Sequence, residues 1–102
     1  MNEWVDVFSA ADFPPGTWQT VDVDGLVTIV VNVDGNFYGL EDCCTHDGGY
    51  LSSGEVEGDE IICPRHGARF DIKTGAVLAP PAYEDINAVP VRVHQGVVQV
   101  KR

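Results

Sequence analysis

The sequence predicts an all-β domain, and three observations carry that prediction. Helical periodicity is nearly absent, short β-branched runs alternate with polar residues, and glycine-containing turn pairs separate those runs at regular intervals. At 102 residues the chain suits one domain with one core, residues 1–102. Its 44% hydrophobic content is enough to pack that core and argues against global disorder.

Residues 4–8 (Trp-Val-Asp-Val-Phe) alternate apolar and polar side chains and read as the first strand. Residues 17–23 do the same and end at Asp24-Gly25, a strong hairpin signal. Residues 26–33 are rich in β-branched side chains and close at a second such pair, Asp34-Gly35, after which 36–40 complete a meander. Near the end, 88–93 and 97–100 form a further hairpin around Gln95-Gly96. The texture changes between these regions. Residues 42–80 hold Gly48-Gly49, Gly54, Gly58, Gly67, Gly75, Pro64 and all three cysteines, with short strands at 60–62 and 68–72. This stretch is expected to be an inserted subdomain whose loops converge, set on a base made of residues 1–41 and 81–102. Pro80-Pro81 would close it as a rigid extended segment.

Six Lys and Arg against 16 Asp and Glu leave a formal net charge of −10. Such a surface repels nucleic acid and anionic membranes and favours a partner with a basic face. The first six residues have neither the basic stretch nor the apolar run of a signal peptide. No segment approaches the roughly 20 apolar residues that span a bilayer. Three cysteines, two of them adjacent, suit metal chemistry in a reducing cytoplasm better than a disulfide framework.

Cys44-Thr45-His46 and Cys63-Pro64-Arg65-His66 stand sixteen residues apart in glycine-rich loops. A thiolate and an imidazole this close in sequence can face one metal centre where the backbone turns sharply, which Gly48-Gly49 and Gly67 permit. Pro64 stiffens the second loop. A structural zinc finger usually runs as a Cys pair followed by a His pair, whereas here each loop supplies one of each. That mixing suits two loops clamping a binuclear cluster, one iron on both thiolates and the other on both imidazoles. Tetrahedral zinc on two Cys and two His stays open on the ligand set alone. A plant-type ferredoxin needs four cysteines and is excluded.

The two boxes with their flanks, Cys44-Thr45-His46-Asp47-Gly48-Gly49 and Cys63-Pro64-Arg65-His66-Gly67-Ala68-Arg69-Phe70-Asp71, followed by Thr74-Gly75, resemble the Rieske family. The likeness takes in the flanking meanders and Pro80-Pro81, so it covers nearly the whole chain. It implies an antiparallel β-sandwich with a small inserted cluster-binding subdomain and one 2Fe–2S cluster. Cys44 and Cys63 would hold the inner iron, His46 and His66 the outer one. Members in respiratory cytochrome bc complexes carry an extra disulfide, at positions that here read Gly49 and Arg65. Those members also place hydroxyls where this chain has Ala68 and Phe70. Donors to the sulfurs stabilise the reduced cluster, so their loss implies a low potential, roughly −150 to −50 mV.

The resemblance further implies a small one-electron carrier, the ferredoxin component of an aromatic-ring-hydroxylating dioxygenase system. It would be a cytoplasmic monomer serving a flavin-dependent reductase and a terminal Rieske non-haem iron oxygenase. The chain is too short to be that oxygenase, whose catalytic iron needs two further histidines and a carboxylate. Two alternatives are an accessory subunit similar to the small subunit of NADH-dependent nitrite reductase, and a zinc-stabilised binding domain. Among other residues, His94 is expected to be a surface or structural histidine and Cys43 to lie in the core. Trp4, Phe13, Trp18, Phe37 and Tyr38 are expected in or beside the core. Asp71 would support the second loop or form a turn, and Tyr83 would pack near the cluster. Glu41, Asp42, Asp47, Glu55 and Glu57 are candidate docking acids.

Overall fold

Two-residue turns set the strand order. The computed structural model describes residues 4–44, 49–51, 54–64 and 67–101. Strands β2 (Trp18–Val23), β3 (Leu26–Val33) and β4 (Asn36–Glu41) form the expected meander, and β9 (Ala88–Val89) extends it beside β4. Both central residues of each turn are left-handed, φ 54° and 86° at Asp24-Gly25 and 53° and 92° at Asp34-Gly35. That is the type I′ geometry whose twist matches the strands it joins. Side chains reinforce it. The Gly25 N–H donates to Asp22 at 2.7 Å and the Gly35 N–H to Asn32 at 2.8 Å.

A second sheet, in the order β1 (Trp4–Ser9), β11 (Val97–Lys101), β10 (Val91–His94), contains the third such turn, Gln95-Gly96 at φ 52° and 78°. The third sheet is β5 (Glu55–Glu57), β6 (Glu60–Ile62), β7 (Arg69–Asp71) and β8 (Val77–Ala79), paired in chain order. All pairings are antiparallel.

Strand β3 is buried on both faces, which explains its nearly unbroken apolar run. Val30 points into one core with Phe13, Val89, Val98 and Val100, between the first two sheets. Ile29 and Val31 point the other way, into a core shared with Leu51, Ile61, Phe70 and Ile72 of the inserted region. Each fully buried aliphatic side chain of this kind is worth roughly 1.5–3 kcal/mol. The third sheet is therefore welded to the sandwich through β3 and β4 and does not hang from a linker.

Two expectations need correction, and two features were not anticipated. The run 88–93 is not one strand, because Pro90 has no N–H to give a ladder; the chain pairs with β4 before it and with β11 after it. Strands β5 and β8 were not anticipated, since Glu-Val-Glu holds a single apolar residue and Val-Leu-Ala does not alternate. The Pro80-Pro81 bond is cis and lies in a turn rather than an extended segment. Residues Ala10–Asp12 form a 3₁₀ turn leading into Phe13.

Candidate metal centre

The first box leaves the end of β4 under firm control. The Asp42 N–H donates to the Val27 carbonyl at 2.8 Å, and the Cys43 N–H donates to Glu41 at 2.8 Å. Asp42 is 5% exposed, and its carboxylate accepts the Leu51 N–H at 2.6 Å. The Cys44 N–H donates to the Gly49 carbonyl at 2.8 Å, drawing the two sides of the box together. Asp42 was expected among the docking acids; burial and this bond make it a structural brace instead.

The second box lies between β6 and β7. The Cys63 N–H donates to Ala68 at 2.7 Å, and the Gly67 N–H returns to the Cys63 carbonyl at 3.1 Å. Gly67 sits at φ 77°, where a side chain would be strained. Gly54 and Gly75 hold the surrounding frame. A Cβ on Gly54 would fall on the Ile62 carbonyl, and one on Gly75 on the Ile86 carbonyl. The Gly75 N–H donates to Asp71 at 2.7 Å and the Ile86 N–H to Gly75 at 2.8 Å, so Thr74-Gly75 ties the third sheet to the segment that follows the prolines.

These frames carry the Cys44 and Cys63 side chains, 0% and 1% exposed, into one core with Leu51, Ala68 and Phe70. All three cysteines are thiols, not disulfides. As neutral thiols Cys44 and Cys63 can be buried without cost; deprotonated to act as ligands, they would need a compensating cation. Two soft donors brought by separate loops into one dry core fit the inner half of an iron–sulfur cluster. His46 and His66, with Asp47 and Arg65, lie outside the described residues. Ala68 and Phe70 are both fully buried and carry no hydroxyl.

Cys43 is half-buried rather than a core residue, its Sγ 3.9 Å from the Cys44 carbonyl. Its neighbour takes the inward position, because adjacent extended residues face opposite ways. Tyr83, expected near the cluster, is 87% exposed. Asp71 accepts the Lys73 N–H at 2.8 Å and so forms the turn after β7. Glu41 accepts a bond from Asn87 at 3.0 Å. Glu57 faces Arg69 at 3.7 Å, while Glu55 is exposed. His94 is exposed on β10, as expected. Phe13 is buried, with Phe8 and Phe37 edge-on to it. Trp18 and Tyr38 pack against the larger core, and Trp4 lies half-buried beneath Arg92, 4.3 Å from its ring centre. No helix among the described residues is long and apolar enough to cross a membrane.

Residues 3–91 match the family model described as the Rieske [2Fe-2S] domain. The ferredoxin component of the naphthalene 1,2-dioxygenase/salicylate 5-hydroxylase systems of a Ralstonia species is 37% identical over 98 residues, 96% of this chain and 94% of that one. The ferredoxin of carbazole 1,9a-dioxygenase from Nocardioides aromaticivorans IC177 superposes with a TM-score of 0.90 at 33% identity, covering 95% of each chain. A chain from the complex of reduced oxygenase and oxidised ferredoxin in carbazole 1,9a-dioxygenase also gives 0.90, at 38% identity over 95% of this chain and 91% of that one.

Proposed function

The chain belongs to the Rieske family, and on that premise we propose that Cys44, His46, Cys63 and His66 hold its 2Fe–2S cluster, with residues 42–80 as the cluster-binding subdomain. The carrying observation is the pair of buried thiols that two separate loops deliver to one core. The protein is an electron-transfer ferredoxin of the kind found in aromatic dioxygenase systems, not itself an enzyme. When bound, the cluster takes up and releases a single electron.

The residues of the chain set the terms of that exchange. Burial of Cys44 and Cys63 keeps water from the thiolate side, which leaves the histidine side as the route for the electron. Ala68 and Phe70 offer the sulfurs no hydroxyl, which favours a potential at the low end of the family range, roughly −150 to −50 mV. The partners of this reading are a flavin-dependent reductase and a terminal Rieske oxygenase, met in the cytoplasm by a monomer. A carrier that must dock and leave quickly suits an interface below about 1,200 Å². The relatives are dioxygenase ferredoxins, so the accessory-subunit alternative is not carried forward.

Visible absorption and electron paramagnetic resonance of anaerobically purified protein, before and after dithionite, test the reading. A red-brown protein whose reduced form has an average g below the four-thiolate value is expected, and His66→Cys should alter that signature. A colourless protein with stoichiometric zinc would overturn the carrier reading, and an unchanged His66→Cys spectrum would remove His66 from the ligand set.

A further inference from the structure

Residues 76–83, Ala-Val-Leu-Ala-Pro-Pro-Ala-Tyr, are an uninterrupted run without charge on a chain that is 22% charged. They make β8, an outermost strand of the third sheet, and the turn that follows it. A run of this kind normally supplies a core. Here only part of it does so: Ala82 enters the larger core, whereas Leu78 is 51% and Tyr83 87% exposed. Both line one shallow groove of about 340 Å³ with Val77, Ala79, Pro80 and Ala82, and no charged side chain among the described residues joins them. Single exposed apolar side chains are ordinary on a protein surface; contiguous ones mark interaction sites.

The backbone that presents the groove is fixed. The Val77 N–H donates to the Asp85 carboxylate at 2.9 Å and draws the segment after the prolines back against β8. The N–H of buried Ile86 donates to the Gly75 carbonyl at 2.8 Å. Tyr83 is thus turned outward between two buried residues, Ala82 and Ile86, and a contact through its ring has little backbone left to order. The groove adjoins the second box. Ala79 pairs with Arg69, and the residue before Arg69, Ala68, accepts the Cys63 N–H at 2.7 Å. Exposed Glu84 and Asp85 follow Tyr83 directly. An apolar centre beside a charged rim is the anatomy of a protein–protein interface, and tyrosine is among the residues that anchor one.

We propose that this groove, with Leu78 and Tyr83 as its anchors, is the contact site for a protein redox partner that presents an apolar socket ringed by basic side chains. A small molecule is a poor occupant, because the groove is shallow and Tyr83 projects from it, whereas a projecting ring fits a socket on another protein. The acids of the surface speed encounter, and the groove holds the pair once they have met. The assignment rests on the electron-carrier reading above, with the terminal oxygenase as the partner that tests it.

Titration calorimetry of the oxidised holoprotein with its terminal oxygenase, at about 0.15 M salt so that long-range attraction is screened, measures the contact. Tyr83→Ser and Leu78→Ser should each weaken binding about tenfold. The heat-capacity change of binding should become less negative, the mark of less apolar burial. Tyr83→Phe, which keeps the ring, should bind as the parent does. The visible spectrum and the midpoint potential should stay in place in all three, since both side chains face solvent. Unchanged affinity in a variant carrying both serines would overturn the groove as an anchor, and a shifted potential would mean that the two residues act through the cluster instead. A parent protein with a Rieske spectrum and no affinity for the oxygenase would overturn the partner. A parent without that spectrum would overturn the carrier reading itself, and the role of the groove with it.

Discussion

Asp42 sits one residue before the Cys43-Cys44 pair and reaches nine residues forward to the Leu51 N–H at 2.6 Å. The bond spans the first box, so it holds the two ends from which Cys44 is presented. Removing the acceptor leaves a buried N–H unsatisfied, at a cost of about 1–3 kcal/mol. Asp42→Ala is therefore expected to lower the thermal midpoint by several degrees and to reduce iron per chain, whereas Asp42→Asn keeps an acceptor and should lose less. Melting and iron analysis of the purified variants check this; an alanine variant that matches the parent in both would make the brace dispensable. The proposed ligands contrast with it. Cys44 and Cys63 stood out in the sequence because thiols at that spacing have few other uses. Asp42 was misread as a docking acid because an aspartate in a sequence carries no mark of its burial. Tyr83 erred in the opposite direction: an aromatic beside two prolines suggested packing, and its side chain is 87% exposed.

Turns rather than strands made the fold readable at the scale of elements. Asp-Gly and Gln-Gly pairs announce left-handed backbone, and all three lie where the sequence placed them. Strands β5 and β8 left no comparable trace, because Glu-Val-Glu holds one apolar residue and Val-Leu-Ala does not alternate, and Pro90 divided what looked like a single run. The third sheet is held by glycines whose need is invisible without the fold. Gly58 and Gly75 separate two such needs. Gly58 (φ 63°), in the turn between β5 and β6, has open space around it, so Gly58→Ala meets backbone strain alone, about 1 kcal/mol. Gly75 (φ 81°) adds a collision with the Ile86 carbonyl, so Gly75→Ala should cost clearly more, about 3 kcal/mol or above, and should loosen the segment that follows β8. Denaturant midpoints of the two variants measure the difference. Equal losses would mean that the close approach of Gly75 to Ile86 is readily relieved.

Charge acts on the molecule as a whole, and here local pairing does little to offset it. Arg69 faces Glu57 and Glu60 at 3.7 and 3.5 Å, and Lys73 faces Asp59 at 4.0 Å. Such exposed pairs add at most about 1 kcal/mol each to stability. They also hold two of the six basic side chains against acids, so that at a distance the surface presents its net charge of −10. A field of that size speeds the approach of a basic partner without adding to the contact, and its reach depends on salt. The screening length falls from about 30 Å at 0.01 M to about 8 Å at 0.15 M, from longer than the molecule is thick to the width of a side-chain contact. Electron transfer with a reductase or oxygenase of opposite charge should therefore slow by about tenfold or more over that interval in the second-order regime. Transfer within the formed complex should hardly change, because a docked pair is already inside the screening length. Stopped-flow traces at several partner concentrations separate the two rates. A bimolecular rate that stays flat across that range would mean the acids keep the protein soluble and take no part in guiding encounter; a rate that rises with salt would mean the partner's docking face is itself acidic.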